Sequence, residues 1–264
     1  MIWTLLLQGL LLMAGLMAVL WLIHLRIGNA AIVDAGWAAG LALLAILYAF
    51  QGDGLPERRV AIAIVASLWG FRLALHLLID RVIGQSEEGR YRELREQWKT
   101  HLPAKFFVFF QFQALLDVLL SVPFLLVALN PAPEISGVEI AGAALWCLAF
   151  AGEALADRQL RRFKADPGNR GRVCRTGLWN YSRHPNYFFE WLIWVAFFLM
   201  ALPAMYGWIS AISPILILLF LFRITGIPAT EAQAIRSRGE LYREYQRTTS
   251  AFFPWFPLNK GVAR

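Results

Sequence analysis

Seven stretches of this 264-residue chain are apolar for long enough to cross a bilayer, and that leaves few folds open. A hydrocarbon core about 30 Å thick takes roughly 17 to 25 residues of helix. Runs that meet this need fall near 2–23, 31–50, 60–79, 106–129, 136–156, 187–202 and 206–225. Only Leu202-Pro203-Ala204 separates the last two, as in a tight helical hairpin. With 58% hydrophobic and 16% charged residues, no stretch remains for a separate soluble domain. The expectation is one all-α membrane domain of seven transmembrane helices over residues 1–264.

Lys and Arg gather in short loops that stay cytoplasmic, so their distribution sets an expected orientation. With the N-terminus outside and the C-terminus cytoplasmic, the inner segments hold Arg26, six basic residues from Arg81 to Lys105, eight in the fifth loop and six in the tail. The outer segments hold Arg58 and Arg59 alone. The net charge of +7 is then a one-sided coat that also suits anionic headgroups. The first run lacks a basic leader and exceeds a signal-peptide core, so it is expected to stay as a span. Cys147 falls in a span and Cys174 in the fifth loop, which predicts no disulfide. His24, His76, His101 and His184 are scattered, with no HExxH or CxxC, so no metal site is expected. The absence of GxGxxG and P-loop motifs removes soluble dinucleotide folds and nucleotide hydrolases. Nothing implies nucleic acid or a protein partner.

Ionisable residues inside spans are expensive, about 2.5 to 3.5 kcal/mol at a helix centre on insertion scales, and each is therefore informative. They are Asp34, Arg72, Asp117, Glu139, Glu153, Glu190 and Arg223. Glu139 lies near the expected outer interface and Asp34 near the inner one, where snorkelling alone accounts for a charge. Asp117, with Gln111 and Gln113 a turn or two earlier, either lines a cavity or bonds between helices. Arg72 pairs with a carboxylate or with a cofactor, because an unpaired guanidinium at that depth is costly. Two other segments, 87–98 and 230–248, read as amphipathic helices that lie on the membrane or cap a cavity.

The segment from Asp157 to Glu190 is the most telling: an arginine-rich polar stretch ends in Arg183-His184-Pro185-Asn186-Tyr187 and runs straight into an apolar helix. Such a junction can hold a phosphorylated cofactor at the bilayer surface. A pyrophosphate and a ribose phosphate ask for several planar bidentate donors, which arginine supplies and lysine does not. Of the 25 basic residues 21 are arginine, a preference that topology does not demand. Arg161, Lys164, Arg172, Arg175, Arg183 and His184 are the candidate anion ligands, while Asp157, Asn180, Tyr181 and Asn186 offer directional bonds to ribose hydroxyls or an amide. Glu153 and Glu190, each within about one turn of this stretch, can orient guanidinium groups. Arg158 and Arg162 are equally well explained by facing lipid.

This pattern, with the hydrophobic hairpin and a tail carrying Tyr242, Tyr245 and Phe252-Phe253-Pro254-Trp255, resembles the steroid 5α-reductase family, its bacterial branch most. The Arg183–Tyr187 signature is shared with sterol C14 reductases and isoprenylcysteine carboxyl methyltransferases. The likeness to the reductases extends further, through Asn29 to Trp37, Trp69-Gly70-Phe71-Arg72 and Gly89-Arg90-Tyr91. It implies a seven-helix membrane reductase that uses NADPH to reduce the carbon-carbon double bond of a 3-oxo-4-ene steroid or similar enone. It further implies cofactor binding by Asp157, Lys164, Arg172, Asn186, Glu190 and the Arg90-Tyr91 pair, in a part spanning about 157–255. The substrate-side helices would span about 1–129. Glu153 replaces a family asparagine, and Thr230-Glu231-Ala232-Gln233 replaces a histidine region, with Arg223, Glu231, Tyr242 and Tyr245 close by in the sequence as further cofactor candidates.

At the catalytic end the likeness is looser. The family's Gln-Glu pair falls on Val33-Asp34, and a tyrosine on Trp69, whose indole donates a hydrogen bond but releases no proton. Conjugate reduction needs a donor for the charge growing on the enone oxygen. Asp34, acting protonated in an apolar cavity, is the candidate, with Trp69 and Tyr91 as catalytic neighbours. Trp37 either packs on the substrate or belongs to an interfacial aromatic belt. A methyltransferase using S-adenosylmethionine is the alternative; its ligand has no phosphate and needs fewer arginines. The expected setting is a bacterial inner membrane, with a hydrophobic small molecule and lipids as partners.

Overall fold

The computed structural model describes residues 1–87, 89–224 and 226–258. Glu88 of the first amphipathic segment, Thr225 at the end of the seventh expected span, and Lys260 and Arg264 of the basic tail lie outside them. Among the described residues the chain is all-helical and without a strand. That suits a lipid environment, where a helix satisfies its own backbone and an open strand does not.

Helix α1 (Ile2–Ile27) ends at Gly28, whose φ of 69° makes the left-handed cap that few other residues accept. Next come α2 (Ile32–Gln51) and α3 (Pro56–Arg81), the latter opened by a proline that needs no amide partner in the first turn. Asn29 ties the three together: its oxygen accepts from the Ala31 amide and its amide donates to the Arg81 carbonyl at 2.9 Å. Helix α4 (Gly89–Trp98) occupies the first amphipathic segment. The fourth expected span is two helices, α5 (Leu102–Leu120) and α6 (Val122–Ala128). Pro123 causes the break, since its ring excludes the carbonyl one turn earlier and it has no amide to donate.

Helix α7 (Gly137–Ala165) runs nine residues past the expected 156, so Asp157, Arg161 and Lys164 sit on a helix and not in a loop. Helix α8 (Pro185–Ala201) follows the polar stretch. The last apolar segment is irregular: a 3-10 turn at Gly207–Ala211, α9 (Ile212–Leu219), then a π-helical turn at Phe220–Ile224 carrying Arg223. The second amphipathic segment is not one helix but two, α10 (Ile227–Arg238) and α11 (Glu240–Thr248).

Among the described residues six helical segments are long and apolar enough to cross a membrane: α1, α2, α3, α5, α7 and the run Gly207–Arg238. They are the mark of an integral membrane protein. The 17-residue α8, expected as the sixth of seven spans, falls short of the length of the others.

The chain forms two compact units. Unit 1 comprises Met1–Ser136 with Ala201–Ser213 and is built around α2, which is buried on most faces. Gly70 of α3 lets the two backbones approach: a β-carbon there would lie 2.6 Å from the Ala38 carbonyl oxygen. Small residues at such a contact are how helices pack where lipid removes the hydrophobic drive. Unit 2 comprises Gly137–Met200 and the chain from Pro214 onward. There Gly142 of α7 does the same against α8, 3.0 Å from the Ala196 carbonyl.

Candidate functional site

In unit 2 the end of α7 presents two buried carboxyl groups one turn apart, Glu153 and Asp157. The first turn of α8 answers with Asn186, whose amide donates to Asp157 at 3.3 Å. One turn on, Glu190 accepts from the Trp194 indole at 3.0 Å. The loop is docked onto α7 by directional bonds: the Trp179 indole donates to the Ala156 carbonyl at 3.0 Å and the Leu178 amide to Gln159 at 2.9 Å. The four carboxyl and amide groups expected to meet a cofactor thus stand on two facing helices that hold the loop.

The arginines divide into two sets. Arg183, only 10% exposed in its side chain, donates to Glu231 at 2.6 Å and to the carbonyls of Gln246 and Thr249 at 2.9 and 2.6 Å. His184 approaches the same Glu231 oxygen at 3.3 Å, and Gln246 donates to its other oxygen at 2.8 Å. Tyr245, buried, donates to the carbonyls of Trp179 and Ser182. Tyr242 packs beside it against Ala234. Arg183, His184, Glu231, Tyr242 and Tyr245 therefore form the internal scaffold of the junction, with little of their side chains exposed. Arg175 stacks over the Tyr245 ring and donates to the Leu241 carbonyl. Tyr181 is exposed, as is Arg223 on its π-helical turn.

The second set is open. Lys164, Arg170 and Arg172 are exposed and pair with no carboxylate among the described residues. With Arg238 they line a surface groove of about 390 Å³ that also contains Asp166 and Asn169. Arg238 fixes the rim by donating to the Arg172 carbonyl at 2.9 Å. Four cations against one carboxylate make a donor set for a phosphate, and the groove is large enough for a phosphate with its sugar. Arg161 is exposed on α7, one turn before Lys164.

In unit 1 a second polar cluster gathers on Asp34. Its carboxylate accepts from Arg81 at 3.0 Å, from Arg90, and from the Tyr91 hydroxyl at 2.7 Å. Three donors converge on it, so Asp34 is the acceptor and Tyr91 a donor within this cluster, where the sequence suggests Asp34 as the donor to an enone oxygen. Beside it, Glu87 accepts from Arg95 and from the Ala30 amide, and Arg95 reaches His24. Trp37 meets Trp69 edge to face at 6.2 Å, and Trp69 is fully buried. Arg72 is half-buried on α3. Asp117 stands apart from this cluster: fully buried on α5, it has no hydrogen-bond partner among the described residues.

Several of these residues carried no signal in the sequence. Arg81, Arg170 and Arg238 read in the sequence as members of the basic coat, and the groups that Arg81 and Arg238 meet lie 47 and 66 positions away. Both cysteines are free thiols, and no group of residues able to hold a metal ion occurs among the described residues.

No solved structure matches the chain. A curated relative is an uncharacterised protein of Schizosaccharomyces pombe, 29% identical over 275 residues that cover 93% of this chain and 78% of the yeast protein. Residues 20–249, a range that takes in the Asp34 cluster, the groove and the Arg183 junction, match the family described as protein of unknown function DUF1295. The chain belongs to the DUF1295 family.

Proposed function

We propose that the chain is an NADPH-dependent membrane reductase acting on the carbon-carbon double bond of a 3-oxo-4-ene steroid or a related enone. The observation that carries this is the cationic groove of Lys164, Arg170, Arg172 and Arg238 at the end of the helix that presents Asp157 to Asn186. DUF1295 contains steroid 5α-reductase-like proteins, which supports the same reading. S-adenosylmethionine, with a single carboxylate and no phosphate, would neutralise fewer of those four cations, so a methyltransferase is the poorer fit.

The residues fit the cofactor in a definite order along α7. Lys164, Arg170 and Arg172 would neutralise phosphate, and Asp157, about 10 Å back along the helix from Lys164, would accept from a ribose hydroxyl or from a carboxamide N–H. Asn186 fixes the rotamer of Asp157, and Trp194 that of Glu190. When bound, NADPH supplies the hydride. Within unit 1, the Tyr91 hydroxyl is the proposed donor for the enone oxygen, its single proton turning from Asp34, where it rests, to the substrate. The cytoplasmic face of a bacterial inner membrane is the setting proposed for the groove.

Thermal shift of the purified protein in detergent tests the cofactor, with NADPH, NADH and S-adenosylmethionine compared. NADPH alone should raise the melting temperature, and Arg172→Ala should abolish the rise. Consumption of NADPH with progesterone, testosterone and a non-steroidal enone then tests the substrate class. Stabilisation by S-adenosylmethionine with none by NADPH would overturn the reductase reading in favour of the methyltransferase.

A further inference from the structure

The final stretch of the chain is fixed through its backbone and exposed through its side chains. After α11 it runs back across the junction. The Arg183 amide donates to the Ser250 carbonyl at 2.8 Å, the Trp255 amide to the Tyr181 carbonyl at 2.9 Å, and the Leu258 amide to the Thr248 carbonyl at 2.8 Å. The Ser182 hydroxyl donates to the Phe252 carbonyl at 2.9 Å. Phe252, buried, is the plug of this strap: its ring meets Phe188 and Trp191 of α8, and Phe222 of the π-helical turn. Beyond it the pattern reverses. Phe253, Trp255, Phe256 and Leu258 are 58, 71, 76 and 69% exposed. A backbone bonded at both ends cannot turn these side chains inward, so their exposure is built into the fold.

Three features identify what covers them. The strap continues the apolar surfaces of α8 and of the last apolar segment through Phe252, so it lies where two apolar helices meet polar structure. Its rings, with the exposed Tyr181 edge-on to Phe256, are of the kind that settles at the boundary between hydrocarbon and water. Helix α11, tied to the strap by the Leu258 amide, carries Arg243 and Arg247 with more than half of each side chain exposed; Glu240 pairs with both and offsets part of their charge. Exposed guanidinium groups beside exposed aromatics match anionic lipid headgroups above acyl chains.

We infer that residues 253–258 are an interfacial anchor. Their side chains enter the headgroup–acyl boundary of a lipid leaflet while Arg243 and Arg247 engage anionic headgroups. Because the same strap bonds Ser182 and Arg183, seating it in lipid steadies the junction that carries Asn186. This does not depend on which cofactor the junction takes.

The test uses the full chain in lipid nanodiscs, with an environment-sensitive fluorescent amino acid replacing Phe256. Lipids bearing a nitroxide near the headgroup should quench it several-fold more than aqueous iodide does. The gap should widen in discs containing phosphatidylglycerol over discs of phosphatidylcholine alone, and Arg243→Gln with Arg247→Gln should remove that widening. Quenching by iodide with none by nitroxide lipid would overturn the anchor, leaving the strap solvated. Protection from both quenchers would overturn it too, in favour of a protein partner on this face.

Discussion

Two arginines of one junction do different work, and a pair of substitutions separates them. Arg183 is enclosed and bridges Glu231 to the carbonyls of Gln246 and Thr249, a geometry that needs a planar fork. Arg183→Lys keeps the charge but not the fork and should lower stability by about 2 to 4 kcal/mol, read as a fall in melting temperature. Arg172 is exposed and lends the scaffold only its backbone, the amide to the Asn169 carbonyl and the carbonyl to Arg238, so Arg172→Ala should leave that melting temperature within a small shift, about 0.5 kcal/mol. Equal losses in the two variants would mean that the division is wrong. The sequence pattern puts Arg183 and His184 with the anion ligands, because both stand in one motif with Asn186. Nothing in their spacing told of Glu231, which lies 48 positions beyond Arg183 and occupies them both. Asp117 was legible, since a carboxyl inside a span is conspicuous whatever surrounds it. With no partner among the described residues, it should be a burden on the fold. Asp117→Leu should therefore raise the melting temperature, by about 1 to 3 kcal/mol of stability. A fall would show that the carboxyl is bonded after all.

At the scale of elements, the tail shows why a correct periodicity gave one helix where there are two. Residues 230–248 keep an amphipathic pattern throughout, yet Gly239 takes φ 55° and ψ −127°, a conformation open to glycine almost alone. The bend lets α11 turn Tyr242 and Tyr245 inward, and that demand comes from the loop beneath, out of reach of any local pattern. Gly239→Ala should cost about 1 to 3 kcal/mol and loosen α11, seen as faster proteolysis after residue 239. Alkaline pH should do the same by another route. Burial raises both phenols above their usual value near 10, and for Tyr242 the neighbouring Glu231 carboxylate adds to the rise. A phenol easier to ionise in the unfolded chain stabilises the fold fully below pH about 10 and progressively less above it. The tail should accordingly become protease-sensitive above pH about 10, before the apolar helices lose their circular dichroism. Release of the tail at neutral pH would contradict this. The extra turns of α7 were missed for a related reason: Asp157 to Ala165 is polar enough to resemble a loop, and it is helical because Trp179 and Leu178 dock on its side.

On the scale of the whole molecule, the membrane character and the helical class followed from hydropathy alone, because lipid leaves the backbone no other option. The two units did not, since the chain leaves unit 1 at Ser136 and re-enters it for residues 201–213, a route that hydropathy cannot trace. What holds unit 1 together is close backbone approach on α2, and this too is only half visible: many glycines lie in the spans, and the sequence does not tell which of them touch. Gly70 and Gly15 make the contrast. A β-carbon on Gly70 would lie 2.6 Å from the Ala38 carbonyl and 3.0 Å from the Ala42 β-carbon, so helix α3 must move bodily away from α2. On Gly15 of α1 it would meet nothing within 4 Å. Gly70→Ala should thus destabilise by about 1 to 3 kcal/mol through overpacking, enough to lower the yield of monodisperse protein in detergent. Gly15→Ala should leave stability unchanged or raise it by up to about 1 kcal/mol, the helix-propensity gain of alanine over glycine. Were both variants to behave alike, packing of α3 on α2 would not be what sets the stability of unit 1.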